Sequence, residues 1–254
     1  MNLSDTRLQM LFRCAYQYYR RYVMGDKIPP GIAAKVGISV DKTVSTDLTS
    51  KKDYGILLPD EQIQDIARDT LNEEWANGVR LTKEEQQEGE KKIKGECVDR
   101  SIRLAKLHHN KLAPSIEPVA IQDRWELNIE GYPIGLTGVI DIREPHAIRD
   151  TKTGAKKKTG AADKSMQLTI YALAAKKLYG KDHKLFLDFL VDTKTPYTDV
   201  QESTRTQRDF EVLFRRIEAA INFLEKGIFP PCNPETNYLC SPKYCGFYSS
   251  CPYV

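Results

Sequence analysis

The sequence predicts an α/β chain with a helical first part and a stapled tail, and three observations predict it. Apolar residues recur at helical spacing as far as Leu112, the period changes to two from Glu117, and four of six cysteines crowd the last residues. The 254 residues are 41% hydrophobic and 29% charged, which excludes general disorder and suits one large domain or a core with an appendage. The net charge of +3 is too balanced to signal a nucleic-acid partner by itself, so any basic surface must be local. No run of 18 apolar residues is present, so no membrane span is expected. The start, Met1-Asn2-Leu3-Ser4-Asp5, lacks the basic-then-apolar pattern of a secretory signal. A cytoplasmic chain is therefore expected, in which cysteines serve as metal ligands or buried thiols before disulfides.

Ser4 caps a first helix to about Met24, with Leu8, Leu11, Ala15, Tyr18 and Tyr22 on one face and Cys14 pointing the same way. After Pro29-Pro30-Gly31 no period is assigned through Lys52. Asp60 begins a helix carrying Ile63, Ala67, Leu71 and Trp75, and Thr82 with Glu85 forms a capping box that opens a long helix to Leu112, with interruption expected near Gly89 or Gly95. Trp125, Leu127 and Ile129 then alternate with polar residues before a turn at Gly131-Tyr132-Pro133. A return strand ends at Asp141, and a short third strand covers Ala147 to Asp150. A helix from Lys164 to Tyr179, a buried strand from Leu185 to Val191 and an amphipathic helix opened by Thr206 follow. Beyond Gly227 neither period is found, and such a tail needs an external staple.

Asp150-Thr151-Lys152 places a carboxylate and an amine on one face of a strand, and Asp141 on the neighbouring strand can join them. Two carboxylates suit a hard divalent cation, and a lysine beside it can orient or deprotonate a water that attacks phosphorus. Gln167 and Tyr171 share one face of the following helix, just after Lys156-Lys157-Lys158.

The ordered set Gly138-x-x-Asp141, Asp150-Thr151-Lys152-Thr153-Gly154 and Gln167-x-x-x-Tyr171 resembles the RecB-like branch of the PD-(D/E)XK nucleases. The resemblance implies a restriction-endonuclease-like core, a small mixed sheet flanked by helices. It implies Mg²⁺ or Mn²⁺ held at Asp141, Asp150 and the adjoining Thr151, a catalytic Lys152, and Gln167 and Tyr171 supporting the site or the DNA. Glu117 sits where relatives carry an acidic residue, with strand-edge solubility as the alternative. Relatives carry Gly-x-x-x-His upstream. Here Gly37-Ile38-Ser39-Val40-Asp41 is the nearest fit, so Asp41 is either a ligand in the histidine's place or a helix cap.

Leu11-Phe12-Arg13-Cys14-Ala15-Tyr16 resembles the opening of the iron–sulfur members of this family, the AddB-type helicase–nucleases and CRISPR-associated relatives, with phage exonucleases also akin. That resemblance implies a [4Fe–4S] cluster on Cys14, Cys240, Cys245 and Cys251. The spacing leaves Cys240 and Cys232 as alternatives, with Cys232 the expected spare, and Cys97 is expected as a buried thiol on a helix. Lys156, Lys157, Lys158 and Lys164 form a basic run suited to phosphates, and Arg20 on the first helix could line the same groove. The expected division is a helical region over 1–115 supplying Cys14 and Asp41, a nuclease core over 116–227 and an iron–sulfur module over 228–254. The resulting expectation is an exonuclease acting on single-stranded DNA or DNA ends, with room for a helicase or recombination partner that the sequence does not specify. The competing expectations are a non-catalytic DNA-binding or assembly subunit and a zinc-stabilised interaction domain.

Overall fold

The computed structural model describes residues 2–254. Helix α1 covers Asp5–Arg13, with the Ser4 hydroxyl accepting from the Arg7 N–H at its start. The single helix expected to Met24 is broken at Cys14, whose backbone is extended (φ −161°, ψ 103°). Helix α2 (Ala15–Tyr18) and a wide π-helical turn (Tyr19–Val23) follow. The break frees the Tyr16 N–H, which an unbroken helix would bond four residues back, to donate to the Pro230 carbonyl at 3.1 Å.

The stretch with no assigned period folds as the 23-residue helix α3, Ile32–Tyr54. Val36, Val40, Val44 and Leu48 form its buried stripe at four-residue spacing. They lie against Leu71 and Trp75 of α4 (Asp60–Ala76). The Thr82–Glu85 capping box opens only the short α5 (Lys83–Glu88), because Gly89 (φ 93°) interrupts the chain before α6 (Glu90–Lys111). Ile93, Cys97 and Leu104 of α6 join the same apolar core.

The strands β1 (Ala120–Leu127), β2 (Leu136–Arg143), β3 (Ala147–Gly154), β4 (Lys184–Val191) and β5 (Tyr197–Ser203) form one sheet in the order β1-β2-β3-β4-β5. β2 and β3 run antiparallel, β3 and β4 parallel, and β4 and β5 antiparallel, so the sheet is mixed. The parallel pair is joined through the short α7 (Ala161–Lys164) and α8 (Met166–Tyr179), the crossover that parallel neighbours require. β3 runs on to Gly154, four residues past the expected end, because parallel pairing continues from Asp150↔Leu187 to Gly154↔Val191. Strand β5 has no counterpart in the sequence expectation; its residues are mostly half-buried or exposed, without alternation and with few apolar side chains. Helix α9 (Gln207–Lys226) ends at Gly227 (φ 62°), and the tail beyond it holds only a 3₁₀ turn at Tyr248–Ser250.

The chain divides into two compact units, one of Met1–Pro29, Trp125–Gly138 and Arg205–Val254, the other of Pro30–Arg124 and Val139–Thr204. In the first, Tyr18 and Tyr19 meet Phe229, Tyr16 meets Tyr253, and the Asn237 amide donates to the Arg13 carbonyl. Gly138 also belongs here: a Cβ at this position would stand 2.6 Å from the Trp125 ring, so only glycine admits that indole. The second unit holds the α3–α4–α6 core and all the acidic residues singled out above.

Candidate active site

The pairing of β2 with β3 joins Ile142 to Arg149 and Arg143 to Ile148, and the next residue on each strand is Asp141 and Asp150. Helix α3 approaches β3 at Gly37, where an added Cβ would lie 3.6 Å from the Thr153 hydroxyl. About one turn further along α3 stands Asp41. It lies inside the helix, so it caps neither end. Three carboxyls therefore converge from three elements.

Asp150 has no solvent exposure. The Lys152 ammonium, on the same face two residues on, stands 2.7 Å from its Oδ2, with 41% of the lysine side chain exposed. Asp141 Oδ2 accepts a long contact from the Thr151 N–H at 3.4 Å, and the Thr151 hydroxyl is buried without a hydrogen bond. Asp41 accepts from the Gln122 amide at 3.2 and 3.4 Å, and the same amide reaches the Ser45 hydroxyl at 3.1 Å. Burial raises all three carboxyls above the ordinary aspartate range. The negative charge of Asp150 raises Asp41 and Asp141 further, and Asp41 adds to the rise at Asp141, while Lys152 opposes it. Such a set is held together against its own repulsion.

Gln167 donates to the Tyr171 hydroxyl at 2.7 Å, and that hydroxyl donates to the Val139 carbonyl, two residues before Asp141. Tyr171 is buried, so this chain of hydrogen bonds fastens the Asp141 segment of β2 to α8. Glu117 is exposed and pairs with Lys51 at 2.9 Å, and its N–H donates to Glu144; it is not among the charges acting on the three aspartates. Lys156, Lys157, Lys158 and Lys164 are exposed beyond the end of β3. Lys157 pairs with Asp199 of β5 at 2.6 Å, and Gln201 holds the loop by the Lys158 carbonyl. Arg20, in the other unit, is engaged by Asp26, by Ser250 and by the face of Phe247.

Gln122, Ser45 and Asp199 carry no signal in the sequence. A glutamine on an alternating strand reads as a solvent-facing residue. What sets Gln122 apart is a backbone φ of +50°, rare for a residue with a side chain.

In the first unit Cys14, Cys232, Cys240, Cys245 and Cys251 all line one cavity with Phe247 and Tyr248. The Cys232 thiol contacts those of Cys14 and Cys240, and burial followed by these neighbours pushes it up to about 12. Burial likewise raises Cys245. Cys232 thus shares the cavity with the four cysteines expected as ligands, and Cys97 is buried in the α6 core. All six cysteines are free thiols. Among the described residues, no group of three or more His, Cys, Asp or Glu side chains stands close enough together to hold a metal ion, and this includes the cysteines expected to ligate a cluster. The fit of the aspartates to a hard divalent cation rests instead on donor chemistry, since three buried carboxyls with a single ammonium among them are a set of oxygen donors whose charge such a cation offsets.

Aspartates on two neighbouring strands, with a lysine two residues beyond the second, thus face the same region of a mixed sheet flanked by helices. The chain belongs to the PD-(D/E)XK nuclease superfamily, whose sequence model matches residues 2–252. It is similar in fold to the crystal structure of a protein from Eubacterium rectale proposed to be an exonuclease, at 13% identity and a TM-score of 0.62, over 100% of this chain and 89% of that one. The crystal structure of SSO0001 aligns at 17% identity and a TM-score of 0.38 over 98% and 95% of the two chains. No curated protein matches the sequence. No helix among the described residues is long and apolar enough to cross a membrane.

Proposed function

We propose that the protein is a metal-dependent exonuclease that hydrolyses DNA phosphodiester bonds on single strands or at ends. The observation that carries this reading is the trio Asp41, Asp141 and Asp150, each raised by burial, with the Lys152 amine against Asp150. Those three side chains would hold Mg²⁺ or Mn²⁺, which supplies charge stabilisation for the phosphorane and a lowered pKa for bound water. Lys152, half exposed and anchored on Asp150, orients the attacking water, and its positive charge offsets the negative charge that builds on the phosphate oxygens. Gln167 and Tyr171 keep Asp141 in place through the Val139 carbonyl. Lys156, Lys158 and Lys164 supply phosphate contacts beyond the strand end.

The five-cysteine cavity supports a [4Fe–4S] cluster ligated by Cys14 and three cysteines of the tail, a segment with no regular structure beyond one short turn. Six free thiols fit a reducing, cytoplasmic setting.

Anaerobically purified protein is assayed on labelled single- and double-stranded DNA with Mg²⁺ or Mn²⁺ beside Lys152→Ala. Cleavage should fall by about 10²–10⁴ in the variant, the usual contribution of one positioned acid–base group. Equal slow digestion by both proteins in every metal would overturn the catalytic reading and leave DNA binding. Brown colour with about four irons per chain supports the cluster. A colourless protein carrying one zinc rejects it.

A further inference from the structure

The second unit contains a cavity of about 140 Å³ bounded by β3 and α3, the elements that carry Asp150 and Asp41. Gly154 and Ala155, where β3 ends, form one wall, and Lys152 and Asp150 lie two and four residues back from Gly154 on that strand, about 7 and 13 Å. Ala33 and Val36 of α3 form another wall, and Asp41 follows Val36 by five residues, a rise of about 7.5 Å. Leu104 of α6 closes the apolar lining.

The mouth is polar. Asp192 pairs with Arg100 at 2.7 Å and with Arg103 at 2.6 Å, so two guanidiniums share one carboxylate and one positive charge is left over. Each arginine side chain is about two-fifths exposed, with N–H groups available beyond the pair. An apolar slot with a cationic rim, one nucleotide's length from a phosphodiester-cleaving centre, matches a nucleotide in shape and charge.

Size decides which part enters. An apolar cavity of about 150 Å³ takes up one benzene ring. This slot therefore accepts the ring of one base and excludes a base pair.

We propose that this cavity receives the unpaired base of the nucleotide next to the cleaved phosphate, with Arg100 and Arg103 holding that nucleotide's phosphate, and that it makes the enzyme prefer an unpaired end over a base pair. The inference rests on the nuclease reading above. Ala33 and Ala155 are both exposed, so enlarging either fills the slot without disturbing the core.

The test titrates the full-length protein with thymidine 5′-monophosphate and with deoxyribose 5-phosphate, which lacks the base, by ligand-observed NMR. Wild type should bind the nucleotide at least tenfold more tightly. In Ala33→Leu and in Ala155→Leu the preference should shrink below twofold with circular dichroism unchanged, whereas Arg100→Gln should weaken both ligands alike. Equal binding of the two ligands to wild type overturns the proposal, and so does a preference that survives both fillings. A wild type that retains the base preference but does not cut DNA keeps the cavity and removes the nuclease reading. One that cuts DNA without base preference does the reverse.

Discussion

At Asp150 a carboxyl without solvent exposure meets two further carboxyls and one ammonium. Its proton affinity is raised by burial in the folded chain, so the folded state binds a proton that the unfolded chain has released above its ordinary value of 3.8. The stability this group contributes is present below that value and is lost as pH rises through the higher folded value. At neutral pH, without a divalent cation, the ionised carboxylate is therefore a burden on the fold. Asp150→Asn should raise the melting temperature in EDTA at pH 8 while abolishing cleavage, and Mg²⁺ should stabilise wild type but not the variant. Scanning fluorimetry with and without Mg²⁺ checks this; a variant that melts lower in EDTA and responds equally to Mg²⁺ contradicts it. This site was legible in sequence because strand periodicity puts Asp150 and Lys152 on one face wherever the strand lies. Gln122 was not, since its role depends on an unusual backbone angle and on where α3 crosses, neither of which leaves a local pattern.

At the scale of elements, what escaped the sequence has local causes. Helix α3 carries Val36, Ile38, Val40, Thr43, Val44 and Thr46, β-branched residues whose side-chain rotation a helix restricts, so its composition resembles a strand's. Burial of its valine stripe against α4 and α6 overrides that preference. The break at Cys14 is set by partners more than two hundred residues away, Pro230 and Asn237, which no local window contains. Strand β5 matters because Asp199 and Gln201 tie down the lysine loop. Lys157 is already paired there, so the loop's three lysines should not contribute equally to DNA binding. On single strands each lysine–phosphate interaction adds about 0.7 to the slope of log affinity against log salt, so Lys156→Ala with Lys158→Ala should lower its magnitude by about 1.4. Lys157→Ala should change it by less than half that amount. A salt titration of oligonucleotide binding by anisotropy decides, and equal effects from all three would mean that Asp199 releases Lys157 to the DNA.

For the molecule as a whole, the two compact units join residues that the sequence separates, since the N-terminal helices and the tail share one unit and α3, α4 and α6 join β3, β4 and β5 in the other. Within that sheet-bearing unit lies a group with no evident part in catalysis. His108 of α6 is completely buried and neither ring nitrogen has a hydrogen-bond partner. Burial first, then the nearby Arg149 charge, lowers it from 6.5 to about 3. The Arg149 charge is itself fixed in place by Asp188, at 3.0 Å to both oxygens, and by Glu144. The sign is opposite to that at Asp150. The unfolded chain takes up a proton below 6.5 that the folded chain refuses until about 3, so the stability is present above 6.5 and is lost as pH falls from there towards 3. At pH 4.5 this loss amounts to roughly 3 kcal/mol, a large share of the about 5–15 kcal/mol that holds a domain folded. His108→Phe, which keeps a ring in the same space and removes the titration, should therefore unfold in urea at nearly the same midpoint as wild type at pH 7.5 and at a clearly higher one at pH 4.5. If instead the two proteins lose stability in parallel between those pH values, His108 is protonated in the folded chain, and the acid sensitivity belongs to the ion pairs around Arg149.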